Sequence, residues 1–266
     1  MFKTRLLSGI VLVILALVFI ISGGYVLLGS TLVISLIGLF EFYRVFKIHN
    51  HSLGYVGYIA TVLYYLSISI LPRSTTFPIL IGFLIVLLGF YVFRYPKYEI
   101  REFMASYFGI FYVSIMLSYI YQTRMIDKAG AYLVWLIFLC SWGCDTCAYC
   151  VGVLFGKHKM APILSPKKSV EGAVGGVVGA ALLTALYCYI FKDAMGIDVG
   201  EIILLSIGAC VGALISMIGD LAASAIKRNN DIKDYGHLIP GHGGILDRFD
   251  SVIITAPIIF YLGGLI

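Results

Sequence analysis

The chain has 266 residues, of which 61% are hydrophobic and 12% charged, with a formal net charge of +5 and a mean hydropathy of +0.99. A soluble domain carries roughly a quarter charged residues, so this composition excludes an ordinary soluble enzyme and points to a chain embedded in lipid. No basic run is interleaved with aromatic residues as a stacking groove requires, so nucleic acid is excluded as a partner.

The apolar residues come in runs of about 20, the length that crosses a hydrocarbon core of about 30 Å as a helix. Nine candidate spans follow in chain order: 6–23, 25–42, 53–71, 77–93, 104–121, 130–155, 171–191, 201–222 and 251–266. The first begins like a signal peptide, with Lys3 and Arg5 ahead of an apolar stretch. It runs on without a small-x-small cleavage site into further spans, which predicts an uncleaved first helix. A Gly-rich break, "SGGY", separates it from the second span. The last span is short and holds Pro257. With no internal repeat, low-complexity tract or soluble linker, the expected architecture is all-α and polytopic. It forms one integral membrane domain over 1–266, with N-terminal helices over 1–130 and motif-bearing helices and loops over 131–266.

Nine spans put the N-terminus and the loops after spans two, four, six and eight on one side. That side holds 15 of the 19 Lys and Arg residues, and excluding the two motif-bearing loops still leaves 7 against 4. The positive-inside bias therefore predicts that the polar loops face the cytoplasm from a multi-pass protein of the inner (plasma) membrane. Four of the six cysteines, Cys140, Cys144, Cys147 and Cys150, are close in sequence. One continuous helix cannot wrap four thiolates around a single ion, so they are expected to be small packing residues.

A carboxylate within the hydrocarbon region is expensive and marks a functional candidate. Asp145 in "CDTCAYCVG" and Asp220 in "SMIGDLAAS" fall well inside spans, and each leads into a polar loop. In the loop 155–176, "FGKHKMAPILSPKKSVEGAVGG", Pro162 and Pro166 prevent a continuous helix. Ser169 and Glu171 fit a helix start. Lys167 and Lys168 lie just before that start, where free N–H groups favour an anion, so the segment suits a phosphate cradle. Beyond Asp220, Ser224, Lys227 and Arg228 follow at +4, +7 and +8, which aligns them on one helical stripe. The next segment, "NNDIKDYGHLIPGHGGILDRFD", is forced out of regular helix by Gly and Pro. Irregular backbone at membrane depth is tolerated where it lines a cavity or is buried in protein. Asp247 and Asp250, spaced i, i+3, share a face if the final helix starts near Ile245. Carboxylates alternating with Lys227, Arg228, Lys233 and Arg248 suit a complex of a hard cation, magnesium above all, with a polyphosphate. His242, between two glycines, suits donation to phosphate. A P-loop and an H-E-x-x-H zinc motif are both absent.

The stretch "SAIKRNNDIKDYGHLIPGHGGILDRFD", residues 224–250, resembles the signature of the bacterial phosphatidate cytidylyltransferases, or CDP-diacylglycerol synthases. It matches S-x-apolar-K-R, then K-D, G, I-P, H-G-G and D-R-x-D. Upstream, "DTCAYCVGVLFGKHKMAPILSPKKSVEG", residues 145–172, is similar to that family's block D-x-x-A-Y-x-x-G ending in S-P-K-K-[ST]-x-E-G. The likeness is sharp over 140–255 and reduces to multispan hydrophobicity over 1–130. It implies transfer of a cytidylyl group from CTP to phosphatidic acid, magnesium dependence with one or two ions, and a homodimer in a lipid membrane. On that basis Asp220 and Asp247 are expected as metal ligands, with Asp145 and Asp250 as secondary candidates. Lys167, Lys168, Lys227, Arg228 and Arg248 would hold phosphates, while Ser165, Ser224, Lys233, Asp234 and His242 would shape the site. A CDP-alcohol phosphotransferase would need D-G-x-x-A-R…G-x-x-x-D-x-x-x-D, which is absent. An intramembrane aspartyl protease would need Gly where this chain has Met217. An ion-coupled transporter is the remaining alternative, distinguished by flux without CTP turnover.

Overall fold

Long apolar runs with few charges can satisfy their backbone in lipid only by closing their own hydrogen bonds, so they form helices. A computed structural model describes residues 2–266, apart from the side chains of residues 2–6 and of residue 73. Lys3, Arg5 and Arg73, which enter the orientation argument, have side chains outside the described residues. Nine long helices are described: α1 (Phe2–Ser22), α2 (Gly24–Val45), α3 (Ser52–Ile70), α4 (Thr76–Phe93), α5 (Ile100–Arg124), α6 (Gly130–Phe155), α7 (Val170–Met195), α8 (Val199–Asn229) and α9 (Leu246–Gly263). Seven of them, α2 to α8, are long and apolar enough to cross a membrane, and the Leu7–Ser22 part of α1 is a shorter apolar helix. α9 carries Asp247, Arg248 and Asp250 in its first turns. The protein is thus an all-α, multi-pass membrane protein.

Several helices outrun the apolar segments that predicted them. α8 continues to Asn229 rather than stopping near 222, and α9 starts at Leu246 rather than 251. Hydropathy falls where the chain leaves the hydrocarbon, but the helical hydrogen-bond ladder continues through polar residues. Those extensions carry the charged side chains.

Two regions pack by different means. α2, α3 and α5 are joined by buried hydroxyls: Ser35 to Tyr65 at 2.7 Å, Thr61 to Ser114 at 2.7 Å, and Tyr64 to Ser118 at 3.0 Å. Such bonds hold helices together in lipid, where apolar contact alone gives little preference for a partner. α6 and α7 instead approach closely through glycines. A Cβ at Gly175 would overlap Val151, and one at Gly179 would overlap Cys147. α4, with a mean hydropathy of 2.4, buries only Leu87 among its residues and presents most of its surface to lipid.

One polar segment departs from helix without changing the all-α class. The polar segment between α6 and α7 forms an antiparallel hairpin of β1 (Lys159–Ala161) and β2 (Ser165–Ser169), pairing Lys159 with Ser169 and Ala161 with Ser165. Both strands are edge strands, where Pro166 is tolerated because a missing N–H there disrupts no inner ladder. The segment between α8 and α9 stays irregular, with an isolated bridge between Ile239 and Gly243. Gly241 and Gly243 take φ of 77° and 85°, a region that side chains rarely enter.

Candidate active site

The site forms where α6, α8 and α9 meet the two polar segments. On α6 a π-helical segment, Leu139–Gly143, ends two residues before Asp145. A widened turn of this kind re-aims the side chains after it and recurs at functional sites. Asp145, Asp220 and Asp250, from three helices, lie within electrostatic range of one another. Asp250 is buried, and its Oδ1 accepts the Ser251 N–H at 2.8 Å. Asp145 Oδ2 accepts the Ser251 hydroxyl at 3.5 Å.

Asp247 has different surroundings. Its Oδ1 accepts from the Lys227 ammonium at 2.8 Å. Its Oδ2 accepts two backbone N–H groups, Tyr235 at 2.8 Å and Gly244 at 3.0 Å. The family resemblance implies Asp247 with Asp220 as metal ligands; in this structure both Asp247 oxygens are engaged within the protein. The carboxylate ties α8 to the irregular segment, and the i, i+3 partner Asp250 faces the other acids instead.

The phosphate-cradle segment meets the acids through Lys168, whose ammonium pairs with Asp220 Oδ2 and also faces Asp145. Ser169 caps α7 as expected, its hydroxyl accepting the Gly172 N–H at 3.1 Å. Glu171 accepts from the backbone of Lys157 and His158 and pairs with the His158 ring at 2.6 Å, which closes the base of the hairpin.

Two cavities adjoin this centre. One, of about 330 Å³, runs between α1 and α9. Leu12, Ala16 and Phe19 line its apolar end, while Asp145, Asp250 and Arg248 line its polar end. The other, of about 470 Å³, is formed by the irregular segment, with Lys233, Asp234 and His237 in its wall. His242 and Arg248 line both. Arg248 is fixed by its backbone, whose carbonyl accepts the Trp142 indole N–H at 3.1 Å, while its Nε is buried without a hydrogen-bond partner. His242 Nδ1 lies 3.0 Å from the hydroxyl of Ser8 on α1. Ser165, Lys167, Ser224 and Arg228 line neither cavity. Lys167 and Arg228 are exposed, and Arg228 donates to the Ile232 carbonyl at 3.2 Å.

Three further residues of the N-terminal half reach the site without a signal in the motifs. Glu41 of α2 is buried and accepts the N–H groups of Ile245 and Leu246. Arg44 donates to the Tyr235 carbonyl at 2.6 Å. The Tyr112 hydroxyl, in a π-helical segment of α5, is buried without a hydrogen-bond partner and faces Asp250 and Asp220 electrostatically. A glutamate near the end of an apolar span and a tyrosine within one could have drawn attention as buried polar groups.

The donors suit a hard divalent cation. Among the described residues no group of three or more His, Cys, Asp or Glu is disposed as a ready-made metal cage. Magnesium binds through one or two carboxylates and takes its other ligands from substrate phosphates and water, so it would need only two of the three neighbouring acids. Asp220 and Asp250 could hold it, with Asp145 beside them.

Fold and site together define a membrane-embedded protein with a charged site open to both an apolar groove and a polar pocket. The sequence pattern of the Cytidylyltransferase family matches residues 3–266, and the chain belongs to that family. It is 32% identical over 264 residues to the phosphatidate cytidylyltransferase of Staphylococcus saprophyticus, covering 97% of both chains. The enzymes of that name from Staphylococcus aureus strain COL and Staphylococcus epidermidis strain RP62A are each 31% identical, again over 97% of both chains.

Proposed function

We propose that this protein transfers the cytidylyl group of CTP to the phosphate of phosphatidic acid, giving CDP-diacylglycerol and pyrophosphate, at the cytoplasmic face of the plasma membrane. The observation that carries this reading is the pair of cavities sharing Arg248 and His242, one with an apolar end and one with a polar wall. Acyl chains fit beside Leu12, Ala16 and Phe19, with the lipid phosphate among the charged groups. The nucleotide fits beside Lys233, Asp234 and His237. The family and the names of the relatives support the same substrates.

A lipid phosphate oxygen attacks the α-phosphorus of CTP, and the bond to the bridging oxygen of the β-phosphate breaks. The nucleophile is already anionic, so no strong general base is needed. The obstacle is the approach of one anion to another, and its solution is fixed positive charge around the reacting phosphates. Arg248 and His242 serve the shared wall, where both phosphates meet. Lys168 turns from Asp220 to a phosphate oxygen when substrate enters, and Lys227 stays with Asp247 and holds the irregular segment in shape. Magnesium, when held by Asp220 and Asp250, supplies further neutralisation of the phosphates and of the departing pyrophosphate. Homodimerisation, implied by the family resemblance, belongs to the same proposal and is read out by the mass of the detergent-solubilised protein.

The test is purified protein with CTP, magnesium and phosphatidic acid, assayed for pyrophosphate and for CDP-diacylglycerol. Both products should appear together and vanish when the metal is chelated. Absence of pyrophosphate in folded protein would overturn the reading, and ion flux without CTP turnover would favour a transporter.

A further inference from the structure

Glu41 lies on α2, far in sequence from every motif residue, yet it is only 4% exposed. Its two oxygens accept one N–H each from the start of α9, Ile245 at 3.1 Å and Leu246 at 2.9 Å, across 204 and 205 residues of chain. The first N–H groups of a helix have no partner within it and carry the positive end of its dipole. α9 has no side-chain cap from its own N-cap residue, Ile245. A carboxylate delivered from another helix does that work. The fit is close on two sides, since a Cβ at either Gly236 or Gly244 would overlap the Glu41 carboxylate. Two glycines of the irregular segment are therefore explained by Glu41 rather than by their own backbone angles.

One turn along α2, Arg44 binds the carbonyl of Tyr235, whose N–H binds Asp247, which in turn pairs with Lys227. α2 thus grips the irregular segment at both ends, near residue 235 and at residues 244–246. The residues following the second grip are Asp247, Arg248 and Asp250.

We propose that Glu41 is a positioning residue of the active site: it sets where α9 begins and so where Arg248 and Asp250 stand. This rests on the cytidylyl-transfer reading for its catalytic consequence, while the clamp itself stands on geometry. Glu41→Gln keeps the shape but offers one N–H donor toward a backbone that needs acceptors. In folded, detergent-purified enzyme, kcat should fall by about tenfold to a hundredfold, as displacements near 1 Å can produce. KM for CTP and for phosphatidic acid should change by less than about threefold, the sign of an interaction realised in the transition state. Hydrogen exchange over 235–248 should quicken. Glu201→Gln, the same loss of charge at a carboxylate that accepts a backbone N–H in the capping box at the start of α8, serves as the control and should leave kcat unchanged. Gly244→Ala should lower the melting temperature strongly in the native background and less after Glu41→Ser, because the lost carboxylate vacates the space; residues in contact fail to add in this way.

Active wild-type enzyme with a Glu41→Gln variant at the wild-type kcat per folded molecule would overturn the positioning role alone. So would a loss of activity that follows the folded fraction while exchange over 235–248 stays unchanged. A folded but inactive wild-type protein would refute the cytidylyl-transfer reading instead. The exchange and glycine measurements would then decide the clamp: faster exchange and non-additive melting support it, and unchanged exchange with additive melting removes it.

Discussion

The two polar segments that frame the site are held in opposite ways. The hairpin between α6 and α7 is fixed locally, by Glu171 on His158 and by Ser169 on its own helix, and its tip residue Ile163 is 88% exposed. The irregular segment between α8 and α9 is fixed from afar, by Ser8 of α1, by Glu41 and Arg44 of α2, and by Asp247 of α9. Its Tyr235 is 1% exposed, and burial pushes that phenol up from its ordinary pKa. A segment held by a few exposed bonds opens at low free-energy cost, whereas one braced from several helices moves only with the core. The difference teaches a division of labour. On the proposed reading, the hairpin, reaching in with Lys168, yields to an arriving phosphate, while the braced segment holds the geometry in which the phosphates react.

The largest effects should come from the acids that the braced side presents. Asp220→Asn and Asp250→Asn should each fold and insert normally yet lower kcat by about a thousandfold, equivalent to roughly 4 kcal/mol of transition-state stabilisation. Combined, they should cost little more than either alone, because groups acting as a unit fail together. Asp145→Asn should cost less. Steady-state pyrophosphate release across a magnesium titration measures all three. Near wild-type turnover in either leading variant would remove that carboxylate from the metal site.

Next comes the ion pair that ties α8 to the braced segment. Lys227→Met would leave Asp247 charged and uncompensated, with its side chain 2% exposed. Breaking a buried pair in this way costs about 3–5 kcal/mol, so the variant should express poorly and melt well below wild type in detergent. Replacing Lys227 and Asp247 together with apolar residues should recover part of the melting temperature but none of the activity. If Lys227→Met alone melted like wild type, the brace would be elsewhere.

The hairpin should answer differently. Lys168 pairs with Asp220 at an edge where both side chains are 24% exposed, so its loss leaves the acids accessible to water and metal. Lys168→Ala should raise KM for CTP by about tenfold, the loss of roughly 1.4 kcal/mol of binding, and change kcat by less than about threefold. An unchanged KM with a collapsed kcat would erase the distinction between the two segments.

How far all this was legible in the sequence follows from the range of each interaction. The nine helices could be read because a long apolar run has almost no alternative in lipid. The stripe of Asp220, Ser224, Lys227 and Arg228 and the shared face of Asp247 and Asp250 could be read because helical spacing is local. The hairpin could not, since strands of three and five residues around two prolines leave no period to detect. Nor could the roles of Asp247 and Asp250 be separated: their spacing is symmetrical, and only the folded backbone decides which of them receives the N–H groups of Tyr235 and Gly244. Glu41 was hidden for the same reason. Its partners lie more than 200 residues away, so its place at the end of an apolar run could flag a polar group of interest but not what it binds.

The smallest effect should come from the seam beneath the hairpin. Cys144 and Cys147 face α7, where Gly176 and Gly179 leave no room for a side chain, and Cys140 faces Gly212 of α8. Cys140 and Cys144 are fully buried, whereas Cys150 is exposed, so the four sulfurs look in different directions and enclose no common point. Replacing all four with Ala keeps the close approach of α6 and α7 and removes only buried sulfur, a small loss of packing. Melting temperature should drop by a few degrees while kcat and both KM values stay within about twofold, since a uniform loss of stability touches neither ground-state nor transition-state binding. Metal analysis of the purified wild type is the decisive companion. One zinc per chain, lost together with activity in the quadruple variant, would mean that the seam is a metal centre and that the hairpin above it is anchored by more than Glu171 and Ser169.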